Sequence, residues 1–92
     1  MSDETRTEEL GQRFRQGQIE IENAESAVQL AMDRAGGAVG IISNAAEGSS
    51  SDLLTGALSN LAEAEVLLGQ VMALYTDARS QIEQHINTRK LG

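Results

Sequence analysis

Apolar and small residues recur at alternating intervals of four and three along the first half of the chain, with no charged residue among them. This spacing keeps the residues on one side of an α-helix, as in the contact line of a coiled coil. We call this set the predicted seam of helix 1, and its members are Leu10, Phe14, Gly17, Ile21, Ala24, Val28, Ala31, Ala35, Ala38, Ile42 and Ala45.

The second half of the chain repeats the spacing. The predicted seam of helix 2 consists of Leu54, Ala57, Leu61, Ala64, Leu68, Val71, Tyr75, Ala78, Ile82, His85 and Arg89. If residues whose numbers add to 99 face each other, large meets small almost throughout, as where Ala24 meets Tyr75. Such alternation lets antiparallel helices approach to roughly 8 Å. The pattern predicts an all-α fold: an antiparallel two-helix hairpin that resembles a coiled coil.

The turn of the hairpin is predicted at Glu47-Gly-Ser-Ser-Ser-Asp52, where the helix-breaking residues cluster. Gly48 suits a left-handed helix end, and the serines or Asp52 suit the cap of the next helix. Thr5-Arg-Thr-Glu8 has capping-box spacing. We therefore expect one domain over residues 1–92, with helix 1 at about 5–47, the turn at 48–51 and helix 2 at about 52–89.

Three glycines, Gly36, Gly37 and Gly40, are the weakest part of helix 1, since each costs up to about 1 kcal/mol relative to alanine in a helix. A kink or a short unwound stretch is one outcome there. Continuity is favoured, because the seam keeps its phase across the glycines. Gly36 and Gly40 are expected on the outer face, where they would either admit another helix closely or add local flexibility.

More apolar residues are present than the two seams use, and these are the candidate partner interface: Leu53, Leu58, Leu67, Met72, Leu74, Ile86, Met32, Val39 and Ile41. A hairpin in water cannot cover them all. A second copy would cover them in a four-helix bundle, and so would another helical-hairpin protein. The alternative is that some are scattered exposed residues, which are common.

The composition of the chain excludes some classes of partner. The chain has 14 acidic and 7 basic residues, and its net charge of −7 argues against nucleic acid. No apolar stretch approaches the ~20 residues of a membrane span. The start of the sequence lacks a positive region followed by an apolar core, so we expect no cleaved signal peptide. The prediction is a cytoplasmic protein, or one exported without such a peptide.

We predict no enzyme and no catalytic, cofactor-binding or metal site. His85 has no carboxylate or metal ligand among its helical neighbours, so it is read as a partly exposed seam residue opposite Phe14. The helical glutamates do not form the Glu-x-x-His pattern of di-iron bundles. The serines of the turn lack a nearby base, and no strand precedes the glycines.

A short acidic chain without cysteine or proline, with Ala-rich seams and a Gly-Ser turn, resembles the WXG100 (ESAT-6-like) proteins of type VII secretion. It resembles still more the small actinobacterial helical hairpins encoded beside polymorphic toxins. The resemblance covers residues 8–89. Two departures are that Gly48-Ser49-Ser50 stands where the family has Trp-x-Gly, and that Arg79 follows Tyr75 where an acidic export residue is expected.

The resemblance implies a non-catalytic module that dimerises or pairs with the helical leader domain of a larger secreted or toxin-type protein. A second hypothesis is a self-assembling structural or scaffold subunit that has no client. Both hypotheses make the surplus apolar residues an interface, and they differ in what covers it.

Overall fold

The computed structural model describes the backbone of residues 3–91 and the side-chain environment of residues 6–88. It contains two α-helices, α1 over Asp3–Ala45 and α2 over Asp52–Leu91. The described part of the chain has no strand, and contacts such as Phe14 with His85 and Gly36 with Glu65 show that the helices are antiparallel. The predicted all-α hairpin is thus confirmed.

Helix α1 is continuous through its three glycines, as the phase of the seam predicts. It begins at Asp3, two residues before the predicted start, so Thr5 lies inside the helix. The side chains of Thr5, the predicted cap, and of Arg89, the last member of the second seam, lie outside the described residues. Helix α1 ends at Ala45, because the residues that follow turn the chain.

The turn follows the chemistry of its glycine and serines. Gly48 has φ of 83°, the left-handed conformation that ends a helix, and the Ser49 N–H donates to the Ala46 carbonyl at 2.8 Å. Ser51 caps α2, since its Oγ accepts from the Leu54 N–H at 3.4 Å and its carbonyl accepts from the Thr55 N–H at 3.1 Å. The chain therefore reverses over residues 46–51.

The facing sides of the helices keep most of the predicted seams but are turned slightly from them. Fourteen of the 21 described seam residues are half-buried: Leu10, Phe14, Ile21, Ala24, Val28, Ala35, Ala38, Ile42, Leu61, Ala64, Leu68, Tyr75, Ala78 and Ile82. Seven described seam residues are exposed: Gly17, Ala31, Ala45, Leu54, Ala57, Val71 and His85. Ten residues, most of them one position further along, are half-buried: Gln18, Glu25, Met32, Val39, Ala46, Leu58, Glu65, Met72, Arg79 and Ile86. The reason is area. Alanine and glycine offer little apolar surface, so turning each helix toward its larger neighbouring side chains buries more.

The hairpin is a rod of 71 × 16 × 15 Å with a radius of gyration of 20.7 Å, against about 12 Å for a compact domain of this length. Its accessible surface is 6991 Å², against roughly 5,200 Å² for a compact 9.8 kDa protein. Among the described side chains none is buried, polar or apolar. The single chain therefore has a contact line between its helices rather than a core.

The conformation of Gly48 gives a stability prediction. A methyl group at Gly48 would meet no described atom within 4 Å, so Gly48→Ala should destabilise only through its left-handed backbone, by about 1 kcal/mol. Gly37→Ala is the matched control, because it is helical and equally open, and it should stabilise by up to about 1 kcal/mol. Urea unfolding followed by circular dichroism measures both. Shifts of the same sign would contradict the described turn.

Candidate interaction surface

One edge of the groove between the helices is closed by side chains that reach across it. We call this the closed edge, and its members on the two helices are the ten half-buried residues given above. At its centre the Arg79 guanidinium donates to both oxygens of Glu25, at 2.7 Å from Nε and 3.3 Å from Nη2. Thr76 Oγ1 donates to the same carboxylate at 3.3 Å. Paired hydrogen bonds of this kind fix the relative position of the two helices.

A second bridge lies further toward the end of the rod away from the turn. Gln18 Nε2 donates to Glu83 Oε2 at 3.0 Å and to the Arg79 carbonyl at 3.4 Å. The hydrogen bond and the charge of Glu25 raise the pKa of Arg79 above its ordinary value, with further contributions from the neighbouring Glu22 and Glu83. Arg79 therefore lies in an acidic environment within its own hairpin, and its charge is engaged there.

Glycines let larger side chains fill the rest of the closed edge. Met32 lies over Gly69, with its Cε 4.0 Å from where a β-carbon would stand. Gly36 lies beside Glu65, whose Oε2 would be 3.6 Å from such a carbon. The prediction that Gly36 belongs to the outer face is therefore wrong. Because the helix turns it toward α2, Gly36 makes room for the partner helix of the same chain, whereas Gly40 is exposed.

The opposite edge of the groove is open and apolar. We call it the open face. Its exposed small members are Gly17, Ala27, Ala31 and Ala45 on α1 and Ala57 on α2, and its large members are Ile41, Leu53, Leu67, Val71 and Leu74. Glu20 and Arg34 lie in the same helical row as Ala27 and Ile41. The helical angle of 100° per residue places them on the other side from the closed edge. The large side chains project beyond the small residues, and Leu67 is 51 % and Leu74 68 % exposed.

The candidate partner residues divide between these two surfaces. Leu53, Leu67, Leu74 and Ile41 are exposed on the open face. The other five are half-buried along the closed edge: Leu58, Met72, Ile86, Met32 and Val39. Val71, Gly17, Ala31, Ala45 and Ala57 belong to the exposed surface, although the sequence pattern places them in the seam. The sequence signal that could have indicated an exposed apolar surface is the absence of charged residues from these seam positions.

Phe14 and His85 meet at the end of the rod away from the turn. Their ring centroids are 5.4 Å apart with an interplanar angle of 73°, so His85 lies opposite Phe14 as predicted. Recesses of 230 Å³ and 320 Å³ flank Phe14, the first with Leu10 and Ile86 and the second with Ala78 and His85 among their walls. These recesses are shallow and open onto the two edges of the groove.

Two further findings apply to the described part of the chain. It has no group of three or more histidine, cysteine or acidic residues arranged to hold a metal ion. Within the same residues, neither helix is apolar over enough of its length to cross a bilayer.

The pairing of Glu25 with Arg79 can be tested by a double-mutant cycle with Glu25→Gln and Arg79→Gln. We expect a favourable coupling at low salt that shrinks at about 1 M salt, because partly exposed charges are screened. Urea unfolding of the four proteins measures it. Glu20→Gln, an exposed glutamate of the same helix, reports the general effect of removing one negative charge. A coupling of zero at low salt would contradict the bridge.

Comparisons with protein-family models, with curated proteins and with solved structures found no match to this chain. The grounds for a function are therefore the hairpin itself and the distribution of apolar and polar side chains over its two edges.

Proposed function

We propose that this chain is a non-catalytic protein–protein interaction module, a WXG100-like helical-hairpin partner of a larger secreted or toxin-type protein. In this proposal it covers its apolar side against a second helical hairpin and so becomes half of a four-helix bundle. The observation that carries the proposal is that no described side chain is buried in the single chain, while Ile41, Leu53, Leu67, Val71 and Leu74 are exposed on the open face.

The energetics of a lone hairpin support an obligatory partner. A domain of this size buries about 60 % of its unfolded surface even when it is compact, and this rod keeps more surface exposed than a compact chain of the same mass. Hydrophobic burial is the main term that offsets the conformational entropy of folding. A second hairpin on the open face would supply the missing burial.

The shape of the open face favours a helical partner over a compact one. The rod is 71 Å long and only 16 Å wide, and its large side chains follow a helical repeat along α2 at Leu53, Leu67 and Leu74. A ridge of this kind fits the groove between the ridges of another helix over its whole length. A compact protein would touch only a short part of it.

Assembly is tested by light scattering coupled to size-exclusion chromatography. We expect the wild-type chain to elute with a mass of at least twice 9.8 kDa, or to require a co-expressed partner for stable folding. Leu67→Glu should dissociate the assembly, because a carboxylate would be buried without a partner. Leu30→Glu is the matched control: Leu30 is 52 % exposed, close to the 51 % of Leu67, but it lies on the outer side of α1. Equal effects of the two changes, or a stable wild-type monomer, would contradict the proposal.

Binding to a different protein, the client, distinguishes this proposal from a self-assembling scaffold, which binds only copies of itself. Purification of the tagged chain from its native host, at native expression, should recover a second helical protein in fixed stoichiometry, and Leu67→Glu should lose it. Recovery of a pure homo-oligomer under those conditions would favour the scaffold and would remove the client from the proposal.

A further inference from the structure

We propose that the turn end of the hairpin opens by local unfolding while the rest of the rod stays paired. We call residues 37–60 the turn end, and we call the paired residues 14–34 and 67–86 the shaft. The contact of Gly36 with Glu65 lies at the boundary between the two parts. The opening is a conformational device of the fold, because helix-weakening residues and cross-helix bonds are distributed unequally along the rod.

Glycines are concentrated near the turn. Five of the nine glycines of the chain lie between residues 36 and 56. Gly37, Gly40 and Gly56 are helical and exposed, and a β-carbon at any of them would meet no described atom within 4 Å. Neither packing nor a left-handed backbone therefore requires glycine at these three positions. Each of them weakens its helix by about five-fold in equilibrium constant relative to alanine.

The polar bonds that hold the two helices together lie in the shaft. They join α1 to α2 through Gln18, Glu25, Thr76, Arg79 and Glu83. By contrast, the side-chain hydrogen bonds described in the turn end stay within the turn and the first turn of α2. An ion pair cannot form within the turn end, because the sequence has no basic residue between positions 35 and 78. Opening the turn end therefore leaves the bridges between the helices intact.

Apolar contact between the helices is also limited in the turn end. Apolar side chains larger than alanine are half-buried there at Val39, Ile42 and Leu58. The most exposed large hydrophobic side chains of the described residues, Leu53 at 87 % and Ile41 at 73 %, lie in the turn end and contribute little to holding it closed. A segment with few covered apolar contacts and solvent-exposed helical hydrogen bonds opens at a lower free energy than the whole molecule.

The shaft can stay paired during this opening, because the connection between its two helices only becomes a longer loop. The closed hairpin reverses over the six residues 46–51, and the open form would reverse over the 24 residues 37–60. Loop closure falls with about the 3/2 power of loop length, so a four-fold longer loop makes pairing of the shaft about eight-fold less favourable. The bridges of the shaft act against that loss. The turn end therefore changes its shape while the shaft keeps its pairing.

Native-state amide hydrogen exchange of the full chain measures the opening in whatever assembly the protein purifies. We expect the amides of residues 38–45 and 55–60 to exchange at least about ten-fold faster than those of residues 21–32 and 69–80, after correction for intrinsic rates. Both sets lie inside helices, so the comparison leaves out the turn itself and the ends of the rod. Equal protection of the two sets would overturn the proposal.

Two alanine variants identify the unit that opens. Gly37→Ala should slow exchange in both parts by about five-fold, because the turn end is unfolded in the local and in the global opening. Gly17→Ala is the matched control, since Gly17 is an exposed helical glycine of the shaft with equally open surroundings. It should slow exchange in the shaft by the same factor and leave the turn end unchanged, because the shaft is folded when only the turn end opens.

Asn23→Ala is a second shaft variant, two helical turns from Leu30 on the outer side of α1, and it should give the same asymmetry at about three-fold. If Gly17→Ala and Asn23→Ala slow the turn end as much as the shaft, the hairpin opens as one unit and the proposal is wrong. That result leaves the proposed function standing, since the latter is tested by the mass of the assembly and by recovery of a client.

Discussion

Each helix of this chain has one neighbour, and that constraint governs the rest of the structure. A helix in a two-helix rod can turn only one stripe of its surface toward the other, so every side chain keeps some contact with water. This is why the described chain has no buried residue although 40 % of its sequence is hydrophobic. Its apolar residues therefore have to be divided between the single internal contact line and the surface.

The division follows from side-chain size and charge. The helices rotate until the longer side chains of the closed edge, such as Met32 and Met72, cover the groove and until Arg79 reaches Glu25. That rotation leaves Ala31, Ala45 and Ala57 of the predicted seams exposed. An alanine loses little by exposure, because it has little surface to bury. Leu67 and Leu74 lose much more hydrophobic stabilisation by exposure. They stay exposed because a rotation cannot turn both sides of α2 toward α1.

Sequence alone predicts the spacing of the contacts better than the side of the helix that makes them. The hairpin, the left-handed Gly48 and the meeting of Phe14 with His85 follow from periodicity and turn chemistry. The rotation does not, because α2 is apolar over most of its circumference near Leu67 to Tyr75, and two adjacent stripes satisfy the same repeat. The choice between the two stripes depends on how Arg79 and Gln18 reach across the groove, and this is visible only in the folded structure.

The alternation of large and small residues is used only in part by the contact within the chain. Between helices of one chain it would allow close approach along the predicted seams, yet Ala31, Ala57 and Val71 of those seams are exposed. The half-buried Ala24, Ala38, Ala64 and Ala78 keep that role, and the exposed members leave apolar surface that the single chain does not cover.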